Sequence, residues 1–223
     1  MKKNTILLLL TVVIISSCSV FKSGSTEKSF EGTIKYSITY PESSMPEAQK
    51  QQLPSNLTLY IKGNMVKSEM ITGMFTRKTI KDAEQQKATT LLDIMGQKYA
   101  IEQTKEDIRQ QIEKQEKPEI TVTDKNKKVA GYNCKKTIVT SENGEKQTIY
   151  FSPEIGNASL NFDSPVYKQI DGIPLEYQMK NNMFTMRLSA EKVTKKKISD
   201  DNFVIPDDYK KVTQEELQNM LGQ

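Results

Sequence analysis

The sequence predicts a mainly β protein of the α+β class, in which an antiparallel sheet is accompanied by a few helices. Short segments of alternating apolar and polar residues follow one another along most of the chain, and turn signals separate them about every eight to twelve residues. Three of these signals, Gly63-Asn64, Met95-Gly96 and Asn143-Gly144, are typical of tight hairpin turns. Strands joined by such turns pair with their neighbours in sequence, which favours an antiparallel meander.

The first predicted strand illustrates the pattern. Ile34, Tyr36 and Ile38 alternate with polar residues, so one side of this strand is expected to be buried. Alternation in some segments, and turn signals between the others, predict further strands at 57–61, 65–71, 75–81, 88–93, 97–101, 120–122, 137–140, 147–151, 173–179 and 184–190. The charged run at 125–128 predicts a turn, and the segment 203–206 is expected to be extended.

Two segments have the pattern of a capped helix. At 104–115, Thr104 with Asp107 three residues later resembles a capping box, and Ile108 and Ile112 lie at helical spacing among charged and amide residues. This spacing predicts a narrow-faced helix laid on a surface. At 213–221, the cap is Thr213 with Glu216, and Leu217 and Met220 are expected to point inward.

Composition excludes several kinds of chemistry. The chain has no His, which is the commonest general base and zinc ligand, and no regular series of acids that would bind calcium. We therefore expect no enzymatic activity, no metal and no cofactor. The formal net charge is only +4, and the triplet Lys195–Lys197 is typical of a solvated strand end, so no nucleic-acid partner is expected. Cys134 is either a buried structural residue or a reactive thiol.

The N-terminus indicates export. Lys2 and Lys3 are followed by an apolar run from Ile6 to Ile15, which is too short to span a bilayer, and then by Ser16-Ser17-Cys18. A small-small-Cys ending of this kind resembles the lipobox of bacterial lipoproteins. In that class the signal peptide is cleaved before the Cys, and the thiol carries a diacylglycerol that anchors the protein in a membrane.

This resemblance predicts an organisation and an address. We expect a signal peptide at 1–17, a lipidated Cys18 with a flexible tether at 18–29, and a single β-rich domain at 30–223. No acidic residue follows Cys18 directly, and by resemblance to proteobacterial sorting rules this favours the outer membrane. The absence of an acidic cluster in the tether favours its periplasmic face.

Four local patterns resemble one family. They are, in chain order, Phe30-Glu31-Gly32-Thr33-Ile34, Lys128-Val129-Ala130-Gly131-Tyr132-Asn133-Cys134-Lys135-Lys136, Ile170-Asp171-Gly172-Ile173-Pro174-Leu175-Glu176 and Phe203-Val204-Ile205-Pro206-Asp207-Asp208-Tyr209. This order is similar to that of the bacterial lipoproteins known as domain of unknown function 4412. The resemblance covers nearly all of the mature chain, and its most specific part is the central Gly-Tyr-x-Cys-Lys segment.

The resemblance implies a fold and a kind of ligand. This family resembles the lipoprotein carriers LolA and LolB, so the implied fold is a curved antiparallel half-barrel with a few covering helices and an apolar concave face that holds acyl chains. Carriers proper are soluble, whereas this chain is expected to carry its own lipid. That difference favours a fixed acceptor or a scaffold, as in LolB.

Six apolar residues are the candidate ligand site. They belong to the last two predicted strands, where they alternate with polar residues: Leu175, Tyr177, Met179, Phe184, Met186 and Leu188. Such a face either lines a cavity or belongs to a filled core. We thus expect an envelope lipoprotein that binds a lipid acyl chain or a lipoprotein. The alternative is an assembly protein that docks onto an envelope partner without a small ligand. The sequence sets no oligomeric state.

Overall fold

The computed structural model describes residues 30–41, 45–180 and 184–221. Cys18, the tether at 18–29 and the signal peptide lie outside them. The described strands are β1 Glu31–Thr39, β2 Asn56–Lys62, β3 Met65–Ile71, β4 Phe75–Asp82, β5 Lys87–Ile94, β6 Gln97–Gln103, β7 Glu119–Val129, β8 Tyr132–Thr140, β9 Lys146–Ser152, β10 Ile173–Lys180, β11 Thr185–Lys195 and β12 Lys210–Lys211. The helices are α1 Glu47–Lys50, α2 Lys105–Glu113, α3 Gln214–Leu221 and the 3₁₀ helices Ala158–Asn161, Tyr167–Gln169 and Asp200–Phe203.

The described strands form one open sheet in the order β12-β6-β5-β4-β3-β2-β1-β11-β10-β9-β8-β7. Each neighbouring pair is antiparallel, apart from the short β12, which runs parallel to β6. The prediction of a mainly β protein with an antiparallel sheet and few helices is confirmed. The sheet is a series of hairpins, and the pairing of β1 with β11 joins its two halves.

The local signals at turns and caps are largely confirmed. The three predicted hairpin turns connect β2 to β3, β5 to β6 and β8 to β9. Both capping boxes are present, since the Asp107 N–H donates to Thr104 Oγ1 and the Glu216 N–H donates to Thr213 Oγ1. Of the two inward residues predicted on α3, Leu217 is buried but Met220 is 48% exposed. The α3 helix lies at the sheet edge, where only one side of its narrow face meets the core cluster of Ile101 and Val212.

The turn predicted at the charged run 125–128 is wrong, and the extended segment predicted at 203–206 is confirmed except at its first residue. Residues 125–128 belong to β7, and the turn lies at Ala130-Gly131, where both residues have positive φ (48° and 86°). A two-residue hairpin turn of this type needs positive φ at both central positions, which explains why the chain reverses there. At 203–206, Phe203 ends a 3₁₀ helix whose start is capped by Ser199, so the extended segment begins only at Val204.

The connection between β6 and β7 links strands that are far apart in the sheet. These strands follow each other in the chain, yet β7 is at one edge and β6 is next to the short β12 at the other edge, and α2 with residues 114–118 joins them. The sheet is rolled at the β7 end, because β7 contacts β11, four places away in the strand order. The same roll brings Lys127 Nζ of β7 within 2.7 Å of Glu176 Oε2 of β10. The sheet is therefore open and rolled, and α2 contacts it beside β6, where Gln103 Nε2 donates to Gln111 Oε1.

Both faces of the sheet are covered. The largest core cluster includes Ile34, Tyr36 and Ile61 together with Ile155 and Leu160 from the segment between β9 and β10. On the opposite face of β4 to β6, a second cluster of Ile80, Leu91 and Ala100 is covered by residues 203–209 of the C-terminal segment. The inner face is therefore the one toward which α2 and residues 155–168 pack.

Candidate functional site

A cleft of about 540 Å³ separates α2 from the segment 158–168. This volume falls in the range of roughly 300–1,000 Å³ that is typical of small-molecule sites. Its apolar lining consists of Ile108 and Ile112 on one wall and Ala158 and Phe162 on the other. The two isoleucines are the same pair that predicted a narrow apolar face on this helix.

The wall formed by α2 is fixed at its N-terminus. Thr104 Oγ1 accepts a hydrogen bond from the Asp107 N–H, and Asp107 Oδ2 accepts one from the Thr104 N–H at 2.8 Å. These bonds from Thr104 hold the pKa of Asp107 below its usual value. Gln103 Nε2 of β6 donates to Gln111 Oε1 at 2.8 Å, and Ile108 is buried. The helix is thus tied to the sheet at its start and along one side.

The opposite wall is held by one buried and one partly buried polar contact. Asn161 is buried, and its Nδ2 donates to the Gly172 carbonyl oxygen at 2.9 Å. Lys81 Nζ, which projects from β4, forms an ion pair with Asp163 Oδ1 at 2.8 Å and lies 5.8 Å from the centre of the Phe162 ring. These contacts fix Phe162 where it can line the cleft.

Positive charge surrounds the apolar lining. The residues that line the cleft include four cations, Lys105, Arg109, Lys117 and Lys168, and one acid, Glu113. Arg109 forms ion pairs with Glu113 and with Glu106, each at 2.7 Å. Hydrogen bonds from Arg109 and then from Gln110 lower the pKa of Glu106 to about 2. The arrangement combines an apolar surface with a cationic rim and suits an amphiphilic ligand.

The structure places five of the six predicted ligand-site residues on the neighbouring strands β10 and β11, and Phe184 directly before β11. The register pairs Tyr177 with Leu188 and Met179 with Met186 across β10 and β11. Leu175 and Leu188 are fully buried within the largest core cluster, and this burial leaves them no surface for a ligand in the structure.

The other four residues of this set keep accessible surface. Met179 is 46% exposed, and Met186 is half-buried at the margin of the core. The Phe184 ring lies edge-on against the Tyr40 ring at 5.3 Å, and Tyr177 makes a similar contact with Tyr167 at 5.5 Å. Tyr177 is half-buried, and the neighbouring side chains shield its hydroxyl from water enough to raise its pKa. A ligand role for these four residues stays a prediction.

Sequence reasoning missed the cleft on α2. Its walls come from a helix and from a segment without hydrophobic periodicity, whereas the predicted site relied on alternation in strands. The signal that was present is the pair Ile108 and Ile112 in an otherwise polar helix. A pair of this kind indicates that the helix lies on something apolar, but it does not identify the surface.

The described residues contain no group of three or more Cys, Asp or Glu side chains that could hold a metal ion. None of the helices in this part of the chain has the length and apolar character needed to cross a bilayer. Among curated proteins, no sequence matches the chain. The model of a family described as "Domain of unknown function (DUF4412)" matches residues 30–164, which extend from the start of β1 through β9 and include α2. This match covers more than half of the sequence, and the chain belongs to that family.

Proposed function

We propose that this protein is a membrane-anchored envelope lipoprotein that binds the acyl chain of a lipid or a lipoprotein. The observation that carries the proposal is the cleft between α2 and the segment 158–168, with its apolar lining of Ile108, Ile112 and Phe162. Apolar clefts of this size with a few convergent polar groups are the usual form of small-molecule sites.

The N-terminal sequence supports a membrane location for this activity. The Ser16-Ser17-Cys18 ending resembles a lipobox, and a lipid at Cys18 would hold the domain near a bilayer. We place the protein at the outer membrane, facing the periplasm, because no acidic residue follows Cys18 directly. Acyl ligands are abundant beside such an anchor.

The arrangement of sheet and helix is compatible with a LolB-like role. An open antiparallel sheet with a helix in the connection between β6 and β7 agrees with the resemblance to lipoprotein carriers. We favour a fixed acceptor that receives a ligand at the membrane over a shuttle that leaves it. We also favour binding over catalysis, since the chain has no His and the acid in the cleft, Glu113, is paired with Arg109.

The test uses the chain from residue 19 onward, which retains every core cluster of the described domain. Native mass spectrometry of protein purified from cells should show a co-purifying lipid, and a fluorescent fatty acid should bind with saturation. Ile112→Glu places a charge in the apolar lining and should weaken binding at least about tenfold, equivalent to 1.4 kcal/mol.

The matched control is Met220→Glu, the same change at an exposed apolar position of a different helix. It should leave the affinity for the fatty acid unchanged. A clean apo mass together with no uptake of the fluorescent fatty acid would overturn the proposal. If Ile112→Glu and Met220→Glu weaken fatty-acid binding equally, the ligand does not bind in this cleft.

One observation favours the alternative, an assembly protein that docks onto an envelope partner. The tips of the β3–β4 and β5–β6 hairpins are joined by a hydrogen bond from the Met95 N–H to the Met74 carbonyl oxygen at 3.3 Å. Ile71, Met74 and Met95 are all exposed there, Met95 to 88%. Exposed apolar clusters often mark protein interfaces.

The partner in this alternative would be an envelope protein with an apolar surface of its own. A photo-crosslinking residue at Met95 should then capture one protein repeatedly in cells, and Met74→Ser in the same chain should abolish the product. If Met74→Ser leaves the crosslinked product at position 95 unaltered, or if the crosslinking residue captures only lipid, the alternative fails. Fatty-acid binding in the cleft should be unaffected by Met74→Ser.

A further inference from the structure

We infer that the ligand of the α2 cleft is an anionic amphiphile, whose acyl chain lies against the apolar lining and whose head group meets the lysine rim. This inference rests on the proposed function, because it names the chemical class of the ligand bound at the same site. It is carried by the charges that line the cleft and by the partners that those charges already have.

Four acids near the cleft already have partners. Glu113 and Glu106 are both paired with Arg109. Asp163, on the other wall, is paired with Lys81 at 2.8 Å. Asp171 accepts a hydrogen bond from the Ala158 N–H at 3.3 Å. These carboxylates therefore offer little neutralisation to further cations.

Three lysines of the lining are left without an acid. Within the described residues, Lys105, Lys117 and Lys168 have no ion-pair partner. They occupy both walls, since Lys105 begins α2, Lys117 follows its end and Lys168 lies in the opposite segment. A cation in the first turn of a helix is disfavoured by the helix dipole, so Lys105 does not serve helix stability. An anionic group bound between the walls would have cations on either side.

The expected selectivity is modest, because each exposed ion pair contributes little. Three such contacts together predict a preference of about tenfold for an anionic over a neutral head group, equivalent to 1.4 kcal/mol. The preference should shrink as the salt concentration rises, since salt screens exposed charges. The apolar part of the binding should not shrink in the same way.

The experiment compares four ligands with the same acyl chain: lauric acid, lauryl phosphate, lauryl alcohol and laurylamine. Each displaces a neutral fluorescent probe from the chain that begins at residue 19. Lauric acid and lauryl phosphate should bind about tenfold more tightly than the alcohol, and the amine should bind most weakly. The ratio of acid to phosphate then tells a free fatty acid from a phosphate head group.

The variant Lys105→Gln/Lys117→Gln/Lys168→Gln should bind lauric acid and lauryl alcohol with nearly equal affinity. Its affinity for the alcohol should equal that of the unaltered chain. The matched control, Lys35→Gln/Lys192→Gln/Lys195→Gln, removes the same charge from exposed positions on β1 and β11 and should keep the preference. Alcohol binding as tight as acid in the unaltered chain would overturn this inference and leave the proposed function standing. No binding of any of the four ligands would overturn both.

Discussion

The hydroxyl of Tyr36 provides a sharp test of how the two halves of the sheet are joined. Tyr36 is 1% exposed, and its Oη donates to the Pro174 carbonyl oxygen at 2.8 Å. The bond connects β1 to β10, which lie on either side of β11. The Tyr36 ring also packs edge-on against the Tyr177 ring, with centroids 6.1 Å apart. Tyr36→Phe removes the hydrogen bond and keeps the ring contact.

The magnitude follows from burial. With no donor from Tyr36, the Pro174 carbonyl loses a partner in a site that water does not reach, and such a loss costs about 1–3 kcal/mol. Tyr40 offers a matched comparison, since its hydroxyl also donates to a proline carbonyl, that of Pro54, at 2.7 Å, but the side chain is half-buried. Water can replace that bond, so Tyr40→Phe should cost less than about 1 kcal/mol.

The measurement is equilibrium unfolding in urea of the chain from residue 19, at neutral pH. Both variants should keep the m-value of the unaltered chain, while the free energy of unfolding falls clearly more for Tyr36→Phe than for Tyr40→Phe. If Tyr36→Phe costs no more than Tyr40→Phe, the buried bond between β1 and β10 does not contribute as argued.

The pH dependence of the free energy of unfolding provides a second test of the burial of Tyr36. Burial raises the pKa of this phenol well above its usual value of 10.0. Above that pH the unfolded chain loses the proton while the folded chain retains it, so the unfolded state is favoured. The stability of the unaltered chain should therefore fall as the pH rises past about 10. Tyr36→Phe should show a smaller fall, and an identical pH profile would contradict the assigned burial.

Three further predictions concern other parts of the chain. Burial raises the pKa of the Cys134 thiol from 9.0 to about 11, so the free energy of unfolding should fall between these pH values, and less so in Cys134→Ala. Cys18→Ser should abolish labelling by radioactive palmitate and leave the thermal unfolding of the domain unchanged; label in this variant would contradict a lipid on Cys18. At Gly32, a Cβ would lie 2.2 Å from the Thr194 carbonyl oxygen, so Gly32→Ala should lower the free energy of unfolding by about 1–3 kcal/mol. At Gly73 a Cβ would have nothing within 4 Å, so Gly73→Ala should change it by less than about 0.5 kcal/mol. Equal midpoints of urea unfolding for the two variants would contradict the close packing at Gly32.

Features that depend on near neighbours in sequence were predictable. The caps at Thr104 and Thr213 and the turns at Gly63 and Gly144 each need only two to four adjacent residues, and the chain supplies them locally. The charged run at 125–128 failed for a related reason. It lies in β7, an edge strand in which most side chains are exposed, so the alternation that marks a half-buried strand is absent. Lysines are common on such edges because they oppose pairing with another chain.

The location of the cleft could not be predicted, because it depends on which strands lie side by side. In sequence, two pairs of residues look alike: Ile108 and Ile112 on α2, and Leu175 and Leu188 on β10 and β11. In each pair, both residues are apolar and lie on one side of a helix or strand. Their surroundings differ because the segment after β9 places Ile155 and Leu160 in the core with Leu175 and Leu188 and fills that space.

Under α2 the same segment leaves a gap, for reasons of topology. The helix lies there because β6 is close to one edge of the sheet and β7 forms the other, and that order depends on the pairing of β1 with β11, which are far apart in the sequence. The alternation of apolar and polar residues indicates which side of a strand is apolar, but not which segment covers that side. The cleft lies between α2 and the segment 158–168, and neither segment has a strand period that could have indicated this.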